Sequence, residues 1–126
     1  MQTREQRFAA KVYRLVAARN GQYNETEKNK YGSMAHKLPV LIRSAGLAQA
    51  LAFVATRSDT QKDVLPDLAV ALGFPDAQAL LKSSREADLA EYMLLTEQSL
   101  GALLWFKRYA ESVLGVTADQ EGGNND

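Results

Sequence analysis

Few side chains in this chain suit catalysis. Cysteine is absent, which excludes thiolate nucleophiles, disulfides and cysteine-containing zinc or iron–sulfur sites. Any Ser-His-Asp arrangement would have to use His36, the single imidazole. Since it stands beside Lys37 on a predicted helix, we interpret it as an ordinary surface or partly buried histidine. The sequence therefore predicts a protein that is not an enzyme and has no catalytic residues.

Three carboxylates, Glu86, Asp88 and Glu91, are the best candidates for a metal site. Positions 86 and 88 do not share a helix face, and negative charges are favoured at a helix N-terminus. We therefore assign these residues to the start of a helix. We expect no metal, no cofactor and no small-molecule substrate.

A larger group of side chains suits the binding of phosphate. Arg4, Arg7, Lys11 and Arg14 step by three, four and three residues, so they lie on one face of a helix. Like charges at these spacings repel one another unless an anion or an acidic surface neutralises them. The alternative is a solvated face opposite the apolar residues. The full set of candidate phosphate contacts is Arg4, Arg7, Lys11, Arg14, Lys37, Arg43, Lys107 and Arg108.

The charges are unevenly distributed along the chain. Fifteen basic and fifteen acidic side chains give a formal net charge of zero. Residues 1–62 carry 11 basic and 4 acidic side chains, and residues 63–126 carry 4 and 11. The two halves could dock on each other, or could offer opposite faces to different partners.

Aromatic residues are interleaved with the basic half. Tyr13, Tyr23 and Tyr31 could stack on nucleobases. Because Tyr13 and Tyr31 fall on or near apolar faces, we interpret these two as core or boundary residues.

Apolar residues recur at helical spacing along almost the whole chain, and no segment alternates as a strand would. The pattern predicts an all-α single-domain bundle of five or six helices. Pro39 lies inside the second helix and should either kink it or divide it. We expect the last helix to begin at a Ser83–Glu86 capping box and to run for about 30 residues.

The bundle is expected to span residues 1–115, with a disordered polar tail over 116–126. The longest apolar run, over 45–55, is about half the length needed to cross a bilayer, and the first residues lack the apolar core of a signal peptide. We therefore expect a cytoplasmic protein without a membrane partner.

Two stretches, residues 31–54 and 92–110, carry a family resemblance. The first contains Tyr31, then Lys37-Leu-Pro39, then Gly46-Leu47 and an apolar helix. The second contains Trp105 followed by paired basic residues, an aromatic residue and alanine. In this order they resemble the signature of the small all-helical subunit of the type III-B CRISPR RAMP module, the Cmr effector complex.

The resemblance implies a non-catalytic subunit of a crRNA-guided effector complex that acts in antiviral defence. Copies would stack into a filament, beside other subunits of the complex, and contact the backbone of the guide–target RNA. Lys37, Lys107 and Arg108 match basic positions of the family, whereas Arg43 does not match a fixed basic position. The residues that match structural positions are Tyr31, Pro39, Gly46, Leu47 and Trp105. The alternative function is a protein–protein adaptor that docks on acidic partner surfaces without touching RNA.

Overall fold

The computed structural model describes residues 1–118, and this part of the chain folds into helices without a strand. The prediction of an all-α bundle is confirmed. The elements are α1 (Arg4–Gln22), α2 (Glu25–Ala45), α3 (Leu47–Ala55), a 3₁₀ helix (Thr60–Asp63), α4 (Val64–Ala71), α5 (Ala77–Glu86) and α6 (Leu89–Ser112). Among these residues, no helix combines the length and the apolar character that crossing a bilayer requires.

The last helix begins later than the sequence predicts. Asp88 caps α6 by accepting a hydrogen bond from the backbone N–H of Glu91, and the Glu91 side chain accepts one from the backbone N–H of Asp88. Ser83 and Glu86 instead belong to α5. Helix α6 therefore has 24 residues rather than about 30, because the second of two possible capping boxes is the one used.

Neither internal proline breaks its helix. Pro39 is buried within α2, which continues unbroken from residue 25 to residue 45, so the helix is not divided. Pro66 is the third residue of α4, in the first turn, where a backbone N–H would have no intrahelical partner.

Helix α6 packs most extensively against α1 and α2. Helix α1 runs parallel to α6. Arg4 lies 3.7 Å from Glu97, and farther along both helices the rings of Tyr13 and Tyr109 are 5.4 Å apart. Helix α2 runs antiparallel to α6. The Tyr92 hydroxyl near the start of α6 accepts a hydrogen bond from the N–H of Ala48, just beyond the end of α2.

The segment after α6 folds back onto α2. Val116 is fully buried, its carbonyl oxygen lies 2.9 Å from His36 Nε2, and its Cβ lies 2.6 Å from where a Cβ on Gly32 would stand. Only glycine at position 32 permits this approach without displacement. His36 is thus a buried structural residue, and the predicted tail beyond residue 118 lies outside the described residues.

Helix α3 is mostly apolar and buries one side in the core. Leu47, Leu51 and Val54 are fully buried. Phe53, however, is 39% exposed, and the Arg57 guanidinium lies over its ring at 5.3 Å.

A polar network crosses the interior and joins three helices. Arg19 of α1 donates two hydrogen bonds to Asp67 of α4, at 2.9 and 3.1 Å, and Tyr31 of α2 donates to the same carboxylate at 2.7 Å. Beside this group, the Tyr23 hydroxyl donates to Asp63. Paired, geometrically matched bonds of this kind are the strongest hydrogen bonds available to side chains.

The network perturbs its own ionisable groups. Burial lowers the pKa of Arg19, but the hydrogen bond and the charge of Asp67 outweigh that effect, so the pKa is raised overall. Burial, followed by the charge of Asp67 and the hydrogen bond to it, raises the pKa of Tyr31 well above its ordinary value. Burial and the hydrogen bond to Asp63 likewise raise the pKa of Tyr23.

Asp67→Ala should reduce the free energy of unfolding by about 3 kcal/mol, because it leaves Arg19 and the Tyr31 hydroxyl without their acceptor in a buried place. The matched control is Glu97→Ala, which breaks the exposed contact with Arg4 and should cost less than about 1 kcal/mol. Denaturant titration followed by circular dichroism measures both. Equal losses in the two variants would contradict a central role for the network.

Stability should fall as pH rises above about 10, where tyrosine in the unfolded chain begins to ionise while Tyr31 in the fold stays protonated. Tyr31→Phe should make the slope of the unfolding free energy against pH shallower by up to about 1.4 kcal/mol per pH unit, which is the contribution of one proton. Unfolding free energies measured between pH 8 and 11 test this. Tyr13→Phe, at a residue that is 51% exposed, is the matched control for the loss of one tyrosine hydroxyl. An identical slope in Tyr31→Phe would refute the assignment.

Candidate nucleic-acid interface

Three of the four candidate basic residues on α1 line one groove. Arg4, Arg7 and Lys11 border a depression of about 200 Å³ together with Ala71 and Leu72 of α4 and Gln98 of α6. The Arg4 guanidinium lies over the ring of Phe8 at 5.7 Å, and Arg7 Nη1 donates to the Gln2 carbonyl at 3.0 Å. Three cations around one concave surface form a suitable place for an anionic group. We call this surface the α1 groove.

Arg14 shares the α1 face but stands apart from the groove. Its side chain is exposed and is not among those that border the depression. The predicted stripe is therefore a groove of three cations with a fourth cation farther along the helix.

The two candidates on α2 differ in exposure. Lys37 is half-buried, whereas Arg43 is exposed near the end of the helix. Neither borders the α1 groove. The structure thus separates the candidates on α2 from those that line the groove.

The end of α6 carries exposed cations beside aromatic rings. Lys107 and Arg108 are both exposed. The Arg108 guanidinium lies 5.8 Å from the Trp105 ring centre, and Trp105 in turn lies 5.7 Å from Tyr109. Tyr13 of α1 packs edge-on against Tyr109.

In the described part of the chain, ion pairs are rare among the candidates, as they are among several other exposed basic residues such as Lys82 and Arg85. Within residues 1–118, Arg4 is the one candidate with an ion pair, the 3.7 Å contact with Glu97, in which both side chains are largely exposed. Arg19 and Lys28, by contrast, are paired with Asp67 and Glu25. The other candidates retain their full charge for an outside partner.

The residues that match structural positions of the family lie in the interior or at a helix junction. Tyr31 and Leu47 are fully buried, Pro39 is buried and Trp105 is half-buried. Gly46 joins α2 to α3 with a φ of 89°, a conformation that favours glycine.

The three carboxylates that could have suggested a metal site, Glu86, Asp88 and Glu91, lie at helix ends. Asp88 and Glu91 form the cap of α6, and Glu86 ends α5. The described part of the chain contains no group of three His, Cys, Asp or Glu side chains arranged to hold a metal ion.

One feature escapes prediction from the sequence. Arg19 looks like a continuation of the basic residues of α1, and its pairing with Asp67, 48 residues away, leaves no local signal. Tyr13 is 51% exposed, which makes it a boundary residue, one of the two positions that the sequence predicts for it.

Comparison with known proteins places these features in a family. A family model described as CRISPR-associated protein (Cas_Cmr5) matches residues 4–113. The CRISPR system Cmr subunit Cmr5 of Thermus thermophilus is 44% identical over 116 residues, which cover 90% of this chain and 98% of that protein.

The fold agrees with the sequence comparison. The crystal structure of a CRISPR-associated Cmr5 family protein from Thermus thermophilus matches with a TM-score of 0.83 and 43% identity, over 90% of this chain and 98% of that one. The resemblance inferred from Tyr31, Gly46-Leu47 and the Trp105 region is thereby confirmed. The chain belongs to the Cmr5 family of CRISPR-associated proteins.

Proposed function

We propose that this chain is a non-catalytic small subunit of a crRNA-guided type III-B CRISPR effector complex in the cytoplasm. In this proposal, copies stack into the minor filament and contact the backbone of the guide–target RNA through basic side chains, in antiviral defence. The family supports a place in the Cmr complex, since the Thermus thermophilus relative is named as a Cmr subunit.

The observation that carries the RNA contact is that candidate cations without acidic partners in the described residues are grouped in space, in the α1 groove and at the end of α6. Seven of the eight candidates have no ion pair within residues 1–118. Acidic side chains are as numerous as basic ones in the chain, so a shortage of acids does not explain this. Exposed cations without partners are suited to phosphates, whose condensed counterions they displace.

We assign the contact with protein to the start of α6, the end away from Lys107 and Arg108. Leu89, Met93 and Leu94 are 74%, 62% and 52% exposed in its first turns, beside the acidic residues Asp88 and Glu91. Exposed apolar side chains with a charged rim are typical of a protein-binding surface. We assign this surface, the α6 apolar end, to a neighbouring copy or a larger subunit.

The triple variant Lys37→Glu, Lys107→Glu and Arg108→Glu should weaken binding of target RNA by the assembled complex. Each lost phosphate contact should reduce the slope of log affinity against log salt by about 0.7 to 0.9. Filter binding at several salt concentrations measures both effects. Lys82→Glu with Arg85→Glu on α5 is the control, since these exposed cations lie outside the candidate set and should leave affinity unchanged.

Unchanged affinity and an unchanged salt slope in the triple variant would exclude these three residues from RNA contact. Crosslinking in the assembled complex then separates the remaining possibilities. The adaptor alternative predicts no protein–RNA crosslinks from α1, α2 or α6, whereas RNA contact through the α1 groove predicts crosslinks from α1.

Leu89→Ser with Met93→Ser should reduce the amount of this subunit recovered in the purified complex several-fold, because both side chains are exposed in the free subunit and buried in the proposed contact. Val70→Ser, at a residue of α4 that is 46% exposed, is the control. Quantitative mass spectrometry of the complex measures subunit recovery. Recovery equal to the wild type would show that the α6 apolar end does not contact another subunit.

A further inference from the structure

The tyrosines divide into two groups by what their hydroxyls do. Tyr23, Tyr31 and Tyr92 donate to or accept from groups of the fold. The hydroxyls of Tyr13 and Tyr109 have no hydrogen-bond partner in residues 1–118, although their rings pack together. Hydroxyls without a partner inside the fold are accessible to water and to a ligand.

These two rings continue into a third. Tyr13 meets Tyr109 edge-on, with an interplanar angle of 76°, and Trp105 lies beside Tyr109 at a tilt of 32°. Tyr13 is 51% exposed, whereas Trp105 and Tyr109 are half-buried and anchor the group in the fold. We call these three side chains the aromatic shelf. It spans the line where α1 packs against α6.

One cation lies against the aromatic shelf. The Arg108 guanidinium is held 5.8 Å from the Trp105 ring centre without an ion pair to an acid in the described residues. Arg14 is the residue after Tyr13 on α1 and is exposed, but successive residues of a helix point in different directions. Glu111, the acid nearest to Arg108 along α6, is exposed and does not pair with it. The shelf therefore combines ring faces with accessible positive charge.

We propose that the aromatic shelf binds an unpaired nucleotide of single-stranded RNA. The base stacks on the exposed face of Tyr13, and its phosphate lies against Arg108. Aromatic faces stack on any base, and flanking cations supply the attraction to the backbone. The inference rests on the proposed RNA contact and extends it from the backbone to a base. A protein partner would gain from the rings as well, but the Arg108 guanidinium, unpaired within the described residues, favours an anionic ligand.

Trp105 is the only tryptophan of the chain, so its fluorescence reports on the shelf directly. The full-length protein is titrated with octaadenylate and with an abasic ribose-phosphate octamer of the same length and charge. We expect octaadenylate to quench Trp105 and to bind about 5- to 100-fold more tightly than the abasic octamer, since a stacked base adds this much affinity.

Two variants at one position separate stacking from hydrogen bonding and from folding. Tyr13→Leu removes the exposed ring and should abolish the preference for octaadenylate over the abasic octamer. Tyr13→Phe keeps the ring and should retain the preference within about threefold. Circular dichroism confirms that both variants fold. Loss of the preference in both variants alike would overturn stacking on the ring.

Equal binding of the two octamers by the wild type would overturn the proposal that the aromatic shelf binds a base, and would leave the proposed backbone contact standing. Failure of both octamers to bind at millimolar concentration would also overturn it. The proposed function is then judged by the charge-reversal variant of the assembled complex. If Tyr13→Leu instead lowers recovery of the subunit in the complex while base preference is absent, the shelf is a protein contact and the proposal is wrong.

Discussion

The fold depends on a partly buried guanidinium–carboxylate pair. Arg19 of α1 meets Asp67 of α4 through two hydrogen bonds, and Tyr31 of α2 donates to the same carboxylate. Apolar stripes alone allow helices to slide or rotate against one another, because hydrophobic attraction has no direction. A buried charge that is not matched is costly, so these bonds favour the one rotation of α1 in which they are all made. In the same arrangement Val12 and Val16 of α1 are buried, and Arg4, Arg7 and Lys11 remain exposed.

The same pairing explains how a chain of zero net charge exposes cations without partners. Asp63 and Asp67 are bound internally by Tyr23, Tyr31 and Arg19. Other acids serve at helix starts: Asp59, Asp76 and Asp88 each accept a backbone N–H. For Asp59, burial acts to raise the pKa, but hydrogen bonds from Gln61 and nearby cations lower it overall. Acids are thus used in building the fold, while most of the candidate basic residues are not. The charge balance in the sequence hides this difference in use.

Sequence reasoning succeeds where the physical cause is local. Helical periodicity and caps predict the all-α class, since each turn depends on residues a few positions apart. The start of α6 is mispredicted because two capping boxes, at Ser83 and at Asp88, lie five residues apart, and tertiary packing selects between them. Arg14 and Arg19 are alike in sequence, yet one is exposed and the other is bound to a residue 48 positions away. Long-range pairing of this kind has no periodic signature. The grouping of Tyr13 with Tyr109 was unpredictable for the same reason.

Helix α6 sets the geometry of the proposed assembly. It carries the α6 apolar end in its first turns, and Trp105, Tyr109 and the basic pair in its last turns. Met93 and Lys107 are 14 residues apart, which is about 21 Å at 1.5 Å per residue. A continuous helix packed on both α1 and α2 is stiff, so the position of one end determines the position of the other. In the proposed filament, a neighbouring subunit that holds the α6 apolar end therefore also fixes the position of the basic end, and no flexible segment within the described fold has to be ordered for this.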